Sequence, residues 1–262
     1  MTDWTEDEAA LLEQIERFAQ GVLAPRAAEL DETATFAVCH LPAMAELGLM
    51  GLNLPEKDGG LGLSGPALYR AVELIAGACG STASLLTAHY LATDSLHLGA
   101  DADLRTRFLP RAAAGSLGAF ALTEPQAGSN PADMRTIAKR DGAGYRLRGA
   151  KCFISNAGAA DFMVVYAKTD PDAGARGVSA FVVEPKAMNG ISIAPAERTM
   201  GLRGGHVFGV TFDDCFVPEE NRIGAEGTGF RTAMKVLDNG RIEVAAQATG
   251  IAAAALDAAI VY

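Results

Sequence analysis

Residues 117–130 read Leu117-Gly-Ala-Phe-Ala-Leu-Thr-Glu-Pro-Gln-Ala-Gly-Ser-Asn130, and the chain changes character there. An apolar run through Phe120 and Leu122 has the composition of a strand. Pro125 cannot donate to a ladder, so that strand ends by Thr123. Gly128 permits a tight backbone, and Ser129 and Asn130 supply polar groups. Physically this is either a strand edge opening into a polar nook or a simple β-turn, and these residues alone weigh the two about equally.

Upstream, the spacing is helical. Thr5-Glu-Asp-Glu8 is a capping box, followed by Leu11, Ile15, Phe18 and Val22 on one face, with Pro25 at that helix's end. Further helices are expected over 41–49, from Pro66 to about Cys79, over 81–97 and over 104–114. Gly60-Leu-Gly-Leu-Ser-Gly65 fits the dinucleotide pattern G-x-G-x-x-G, but Pro55-Glu-Lys-Asp precedes it in place of a strand, so it reads as a turn. Downstream, short β-rich runs cover 117–123, 136–140, 145–154, 162–168, 178–184, 191–194 and 210–216. Asp141-Gly-Ala-Gly144 is a hairpin signal, and no helix fits between most of the runs. After Gly224 helical spacing returns at Phe230, Met234, Leu237, Val244, Ala248, Ile251 and Ala255.

The expected fold is therefore α+β. A helical N-terminal domain (1–116) leads into a central antiparallel β-barrel or sandwich (117–225). The start of a C-terminal helical bundle (226–262) follows, and it stops at Tyr262 inside its own pattern, as a truncated sequence would.

Composition narrows the function. The 262 residues are 49% hydrophobic and 21% charged, with a net charge of −10. This is globular rather than disordered, and it lacks the basic patch that nucleic acid requires. Any anion must be held by local donors. Cys39, Cys79, Cys152 and Cys215 form no C-x-x-C pair, and Met1-Thr-Asp-Trp4 opens no signal peptide, so free thiols in a cytoplasmic protein are expected. His40, His89, His97 and His206 lack metal spacing and read as core or surface residues; no metal site is expected. No uncharged apolar run reaches membrane-span length.

A second stretch, Lys151-Cys-Phe-Ile-Ser-Asn-Ala-Gly158, places an aromatic beside a hydroxyl and an amide at a strand's end. It reads either as a face for a planar heterocycle or as a core strand meeting a turn. Together with Thr123–Ser129, Met200-Gly-Leu-Arg-Gly204, Phe212–Pro218 and Leu237-Asp-Asn-Gly-Arg241, in that order, it closely resembles the acyl-CoA dehydrogenase family. The last segment looks most like the short-chain branch.

The resemblance implies FAD between the β domain and the C-terminal helices. It places Phe120, Leu122, Thr123, Gly128, Ser129, Phe153, Ile154 and Ser155 on the cofactor. Phe153 stands where many members have Trp against the isoalloxazine, and Ser155 where others have a Thr hydroxyl near flavin N5. Ser129, Asp238, Asn239, Gly240 and Arg241 are implied to meet the acyl-CoA, with Ser129 touching FAD as well. The implied reaction is α,β-dehydrogenation to a trans-2-enoyl-CoA. An acyl-CoA oxidase, a flavin monooxygenase or a non-catalytic FAD- or CoA-binding fragment are the alternatives. The family's catalytic Glu is absent at Gly240, and its other position is expected beyond Tyr262. Glu243 could substitute, although a surface carboxylate is the expectation there. An electron-transfer flavoprotein as acceptor and a homodimer or homotetramer are inherited from the family.

Overall fold

The computed structural model describes residues 4–262; the reading of Met1–Asp3 as free of a signal peptide lies outside the described residues. Helix α1 (Glu6–Phe18) starts with the expected capping box: Thr5 accepts from the Glu8 backbone N–H while the Glu8 carboxylate accepts from Thr5. Pro25 does not end the helical path. A π turn over Ala19–Leu23 carries it into α2 (Ala24–Thr33), where Pro25 sits in the first turn and its missing N–H costs nothing. The wide turn also rotates the apolar face, leaving Val22 exposed and Leu23 buried.

Short α3 (Leu41–Glu46) precedes the glycine-rich loop, α4 (Gly65–Ala78), α5 (Gly80–Gly99) and α6 (Ala102–Ala113). The loop is a turn. A Cβ on Gly60 would lie 2.0 Å from the Leu54 carbonyl oxygen, and Ser64 accepts from the Ala67 N–H to cap α4. Helix α5 is buried on nearly every face, which explains its run of apolar and small residues without a polar stripe.

Strands β1 (Gly118–Ala121), β2 (Ile137–Asp141), β3 (Gly144–Ser155), β4 (Phe162–Lys168), β5 (Val178–Val183), β6 (Ile191–Ile193), β7 (Val207–Pro218) and β8 (Arg222–Ile223) form one sheet. Its order is β6-β7-β3-β2-β4-β5-β8, with β1 on β4. The hairpin at Gly142-Ala143 joins β2 to β3 as expected. Most pairings are antiparallel, but β1 runs parallel to β4 (Gly118 opposite Phe162), and Ile137 of β2 meets Lys168 of β4 in the same sense. The sheet is thus mixed; alternation of side chains locates a strand without giving its direction. On β4, Val164 and Tyr166 face the helices with Leu96 and Phe108, while Met163 and Val165 face Leu147 and Val210.

His89 of α5 pins the β1 start. Its Nδ1 accepts from the Gly118 N–H and its Nε2–H donates to Met50 O. Complete burial pushes its pKa down to about 4, so this histidine is a neutral core residue.

Helix α7 (Gly229–Val261) lies across α4 and α5. Phe230, Met234 and Leu237 of the expected stripe pack against the core, but beyond Gly240 the buried side is not the stripe read from the sequence. Val244, Ile251, Leu256 and Ile260 are exposed, whereas Val236, Gly240, Glu243, Gln247 and Gly250 are buried. The reason is close approach: a Cβ on Gly250 would meet Glu73 O at 2.2 Å, and one on Gly240 would meet Leu91 Cδ2 at 2.5 Å. By length and composition α7 is also long and apolar enough to cross a bilayer, with an 18-residue window of mean hydropathy 1.6.

Candidate functional site

The end of β1 and the end of β3 meet, and irregular backbone makes the meeting useful. The β3–β7 register slips between Lys151 and Ile154, and within that slip Phe153 adopts φ 57°. Left-handed backbone costs a non-glycine residue about 1–2 kcal/mol. Here it turns the Phe153 ring out of the sheet, 66% exposed, while Ile154 stays in the core. The freed Cys152 N–H donates to Thr123 O at 3.0 Å, joining the two segments directly. Asn156, also left-handed, donates to Leu85 O at 2.8 Å and Gly118 O at 3.3 Å, which ties the same corner to α5 and β1.

Beneath the corner sits an ion pair that the sequence did not announce. Lys151 Nζ donates to Glu124 Oε1 at 2.7 Å and to Leu122 O at 3.0 Å. Glu124 also accepts from the backbone N–H groups of Arg135 (2.6 Å) and Thr136 (3.0 Å) and from Gln126 Nε2 (2.6 Å). Burial pushes the Lys151 ammonium down to about 8 against the pull of Glu124. Burial works against the Glu124 anion too, but the Lys151 charge and the N–H donors outweigh it and hold its pKa below the usual value. Both groups are therefore charged at neutral pH, and the loop from Leu122 to Thr136 is fastened to β3.

Against this wall lies a cleft of about 410 Å³. All eight residues expected on the cofactor line it: Phe120, Leu122, Thr123, Gly128, Ser129, Phe153, Ile154 and Ser155. Ala88 and Leu91 of α5 and Met234, Leu237 and Arg241 of α7 close the other side. A second cavity of about 480 Å³ shares Ala88, Leu91, Ser155, Leu237 and Arg241 with the first and runs on between α5 and α7, past Thr87, Gly240, Glu243 and Gln247.

The residues expected on the acyl-CoA divide. Ser129, Gly240 and Arg241 line the cavities. Asp238 is exposed and pairs with Arg241, and Asn239 Nδ2 donates to Asp94 Oδ2 at 2.9 Å.

Glu243 is a correction. In place of a surface carboxylate, it is 2% exposed, and its Oε2 has no hydrogen-bond partner. Burial, then the negative Asp94, pushes its pKa up to about 8, and it makes no salt bridge among the described residues. The available signal was spacing: Val236, Gly240, Glu243, Gln247 and Gly250 recur at helical intervals as a stripe of small and polar residues.

The fold and cleft define a helix–sheet–helix protein with a ligand slot where a sheet bulge faces two helices. Residues 5–116 match the model for the acyl-CoA dehydrogenase N-terminal domain, and residues 119–215 match that for the acyl-CoA dehydrogenase middle domain. The short-chain-specific acyl-CoA dehydrogenase of Clostridium acetobutylicum is 38% identical over 260 residues, which cover 98% of this chain and 68% of that protein. The structure of butyryl-CoA dehydrogenase from Megasphaera elsdenii superposes with a TM-score of 0.95 at 35% identity, covering 100% of this chain and 70% of that one. PigA with FAD and proline does so at 0.93 and 27%, covering 100% and 69%. This chain belongs to the acyl-CoA dehydrogenase family. It spans about two thirds of the length of these relatives.

Proposed function

We propose that the protein is an FAD-dependent oxidoreductase that converts an acyl-CoA thioester to its trans-2-enoyl-CoA. The observation that carries this reading is the outward Phe153 ring on a left-handed bulge, held beside the Thr123 and Ser155 segments in one cleft. The residues fit a flavin. Phe153 offers an aromatic face for the ring to stack on. Thr123 and Ser155 carry half-buried hydroxyls for its polar edge, and the space beyond Gly128 is open enough for the backbone to receive a phosphate. Bound FAD supplies the hydride acceptor.

The chain's own residues do the rest. The wall of β1 and β3 orients the ring and keeps water from that side. Ser129 and Arg241 stand at the cleft where the CoA portion enters, and Arg241 presents a fork of donors to a carbonyl or an anion. The cavity between α5 and α7 receives the acyl group. Gly240 leaves no carboxylate at that position of α7. An electron-transfer flavoprotein as acceptor, a cytoplasmic location and a homo-oligomer complete the reading by family resemblance.

Anaerobic titration with butanoyl-CoA of the yellow, flavin-loaded protein, carrying the C-terminal helices of its relatives, tests it. Bleaching of the flavin is expected. Retention of full colour with every acyl-CoA tried would remove the assignment.

A further inference from the structure

The floor of the second cavity is chemically out of place for a plain hydrocarbon chain. Its polar lining includes Thr87 of α5 and Glu243 and Gln247 of α7, one helical turn apart. Thr87 donates to Gln247 Oε1 at 3.3 Å, which leaves the Gln247 amide N–H groups without a hydrogen bond among the described residues. Glu243 Oε2 is buried and unpartnered. A buried polar atom without a partner costs about 1–3 kcal/mol, and a hydrophobic side chain would avoid that cost. Resting on the thioester reading above, we propose that this floor selects acyl groups bearing a hydroxyl beyond the β-carbon, with Glu243 as the specificity-determining residue.

The character of the site defines the ligand class. The titratable groups that bear on Glu243 electrostatically are Asp94 and Tyr90 of α5 and Tyr69 of α4, and none is cationic; Arg241, which lines the same cavity, is exposed and paired with Asp238. Burial and Asp94 together keep Glu243 protonated at neutral pH, since its pKa lies near 8. A protonated carboxyl donates through one oxygen and accepts through the other, and the Gln247 amide adds a donor. A hydroxyl does both at once and brings no charge into the cavity. A carboxylate-bearing acyl group would meet Glu243 and Asp94 there, and the cation lining the cavity, Arg241, is solvent-exposed and already paired with Asp238. An alkyl terminus would leave the orphaned oxygen as it is. The hydroxyl must lie beyond the β-carbon because the α- and β-carbons are held at the flavin end, beside Ser155, where the two cavities join.

The test compares butanoyl-CoA with 4-hydroxybutanoyl-CoA by calorimetry on the flavin-loaded protein. The flavin is held reduced, so that the thioesters bind without turning over. The hydroxylated thioester is expected to bind about tenfold more tightly, the value of one good hydrogen bond. Glu243→Leu should abolish that preference or reverse it, while Glu243→Gln, which keeps a donor and an acceptor, should retain most of it. Melting temperature and flavin content report on folding, and a leucine in place of an unpartnered buried carboxyl should leave both intact. Equal binding of the two thioesters by the unaltered protein would overturn the proposal. So would a preference that survives in Glu243→Leu, or tighter binding of 4-aminobutanoyl-CoA. Loss of turnover of both thioesters in Glu243→Gln with binding intact would instead make Glu243 the α-proton acceptor and sink the specificity role. Failure of either thioester to bind the unaltered protein at all would remove the thioester reading itself.

Discussion

Glu124 lies beneath the β wall of the cleft and Glu243 lines its helical side, and each is 2% exposed. Their treatment is opposite. Glu124 collects a lysine, two backbone N–H groups and an amide, and stays ionised. Glu243 collects nothing at Oε2 and stays protonated. A buried acid that is fully satisfied belongs to the scaffold: it fixes the loop that ends β1. A buried acid that lines a cavity and has no hydrogen bond to its carboxyl among the described residues is available to a ligand. The β wall is therefore rigid by construction, and the helical side carries the adaptable chemistry.

The comparison breaks most visibly at Lys151. Lys151→Met strands the Glu124 carboxylate in the interior and is expected to cost about 3–5 kcal/mol by chemical denaturation. Glu243→Leu should cost far less, because no partner is lost. Equal losses would mean that Glu243 is as embedded in the scaffold as Glu124.

The pH dependence of Glu243 is expected to give the next largest effect. Its folded pKa lies above its unfolded value, so its contribution to stability is complete below pH 4.5 and is lost as pH rises through about 8. Between those values Glu243→Gln should become progressively more stable relative to the unaltered protein, by an amount on the order of a few kcal/mol at the upper end. Melting curves at pH 5 and pH 8 read this directly, and parallel curves would place the carboxyl in water.

Arg241→Ala is expected to disturb stability by only about 0.5 kcal/mol, because its pairing with Asp238 is solvent-exposed. It should weaken acyl-CoA binding about tenfold while FAD stays bound, as expected for a hydrogen bond to a charged group. Equal loss of both ligands would make Arg241 structural.

The local signals marked a strand end, where Pro125 stops pairing and Gly128 frees the backbone, but they weighed a polar nook and a plain turn equally. The family resemblance supplied the cleft-lining set, and the bulge at Phe153 appears only in the structure. The unread parts are long-range. Glu124 lay inside the quoted motif, but its partner Lys151 is a strand away, and a lysine in an apolar run gives no pairing by itself. The parallel direction of β1 depends on where β4 lies, which side-chain alternation does not encode. On the second half of α7 the large apolar residues Val244 and Ile251 suggested the wrong face. Close crossing at Gly240 and Gly250 selects small residues for the buried stripe, and hydropathy ranks those below Val244 and Ile251. Glu243 was hidden by the same effect, since its neighbours in the stripe do not look like a core.

The flavin wall is tested most directly by FAD affinity in Phe153→Ala, measured by quenching of flavin fluorescence alongside the melting temperature of the apoprotein. Phe153 is largely exposed, so the melting temperature should hardly move, while FAD affinity should fall about tenfold as the stacking face is lost. Unchanged affinity with an unchanged melting temperature would show that the ring seats elsewhere, and the account of the β1–β3 corner would be wrong.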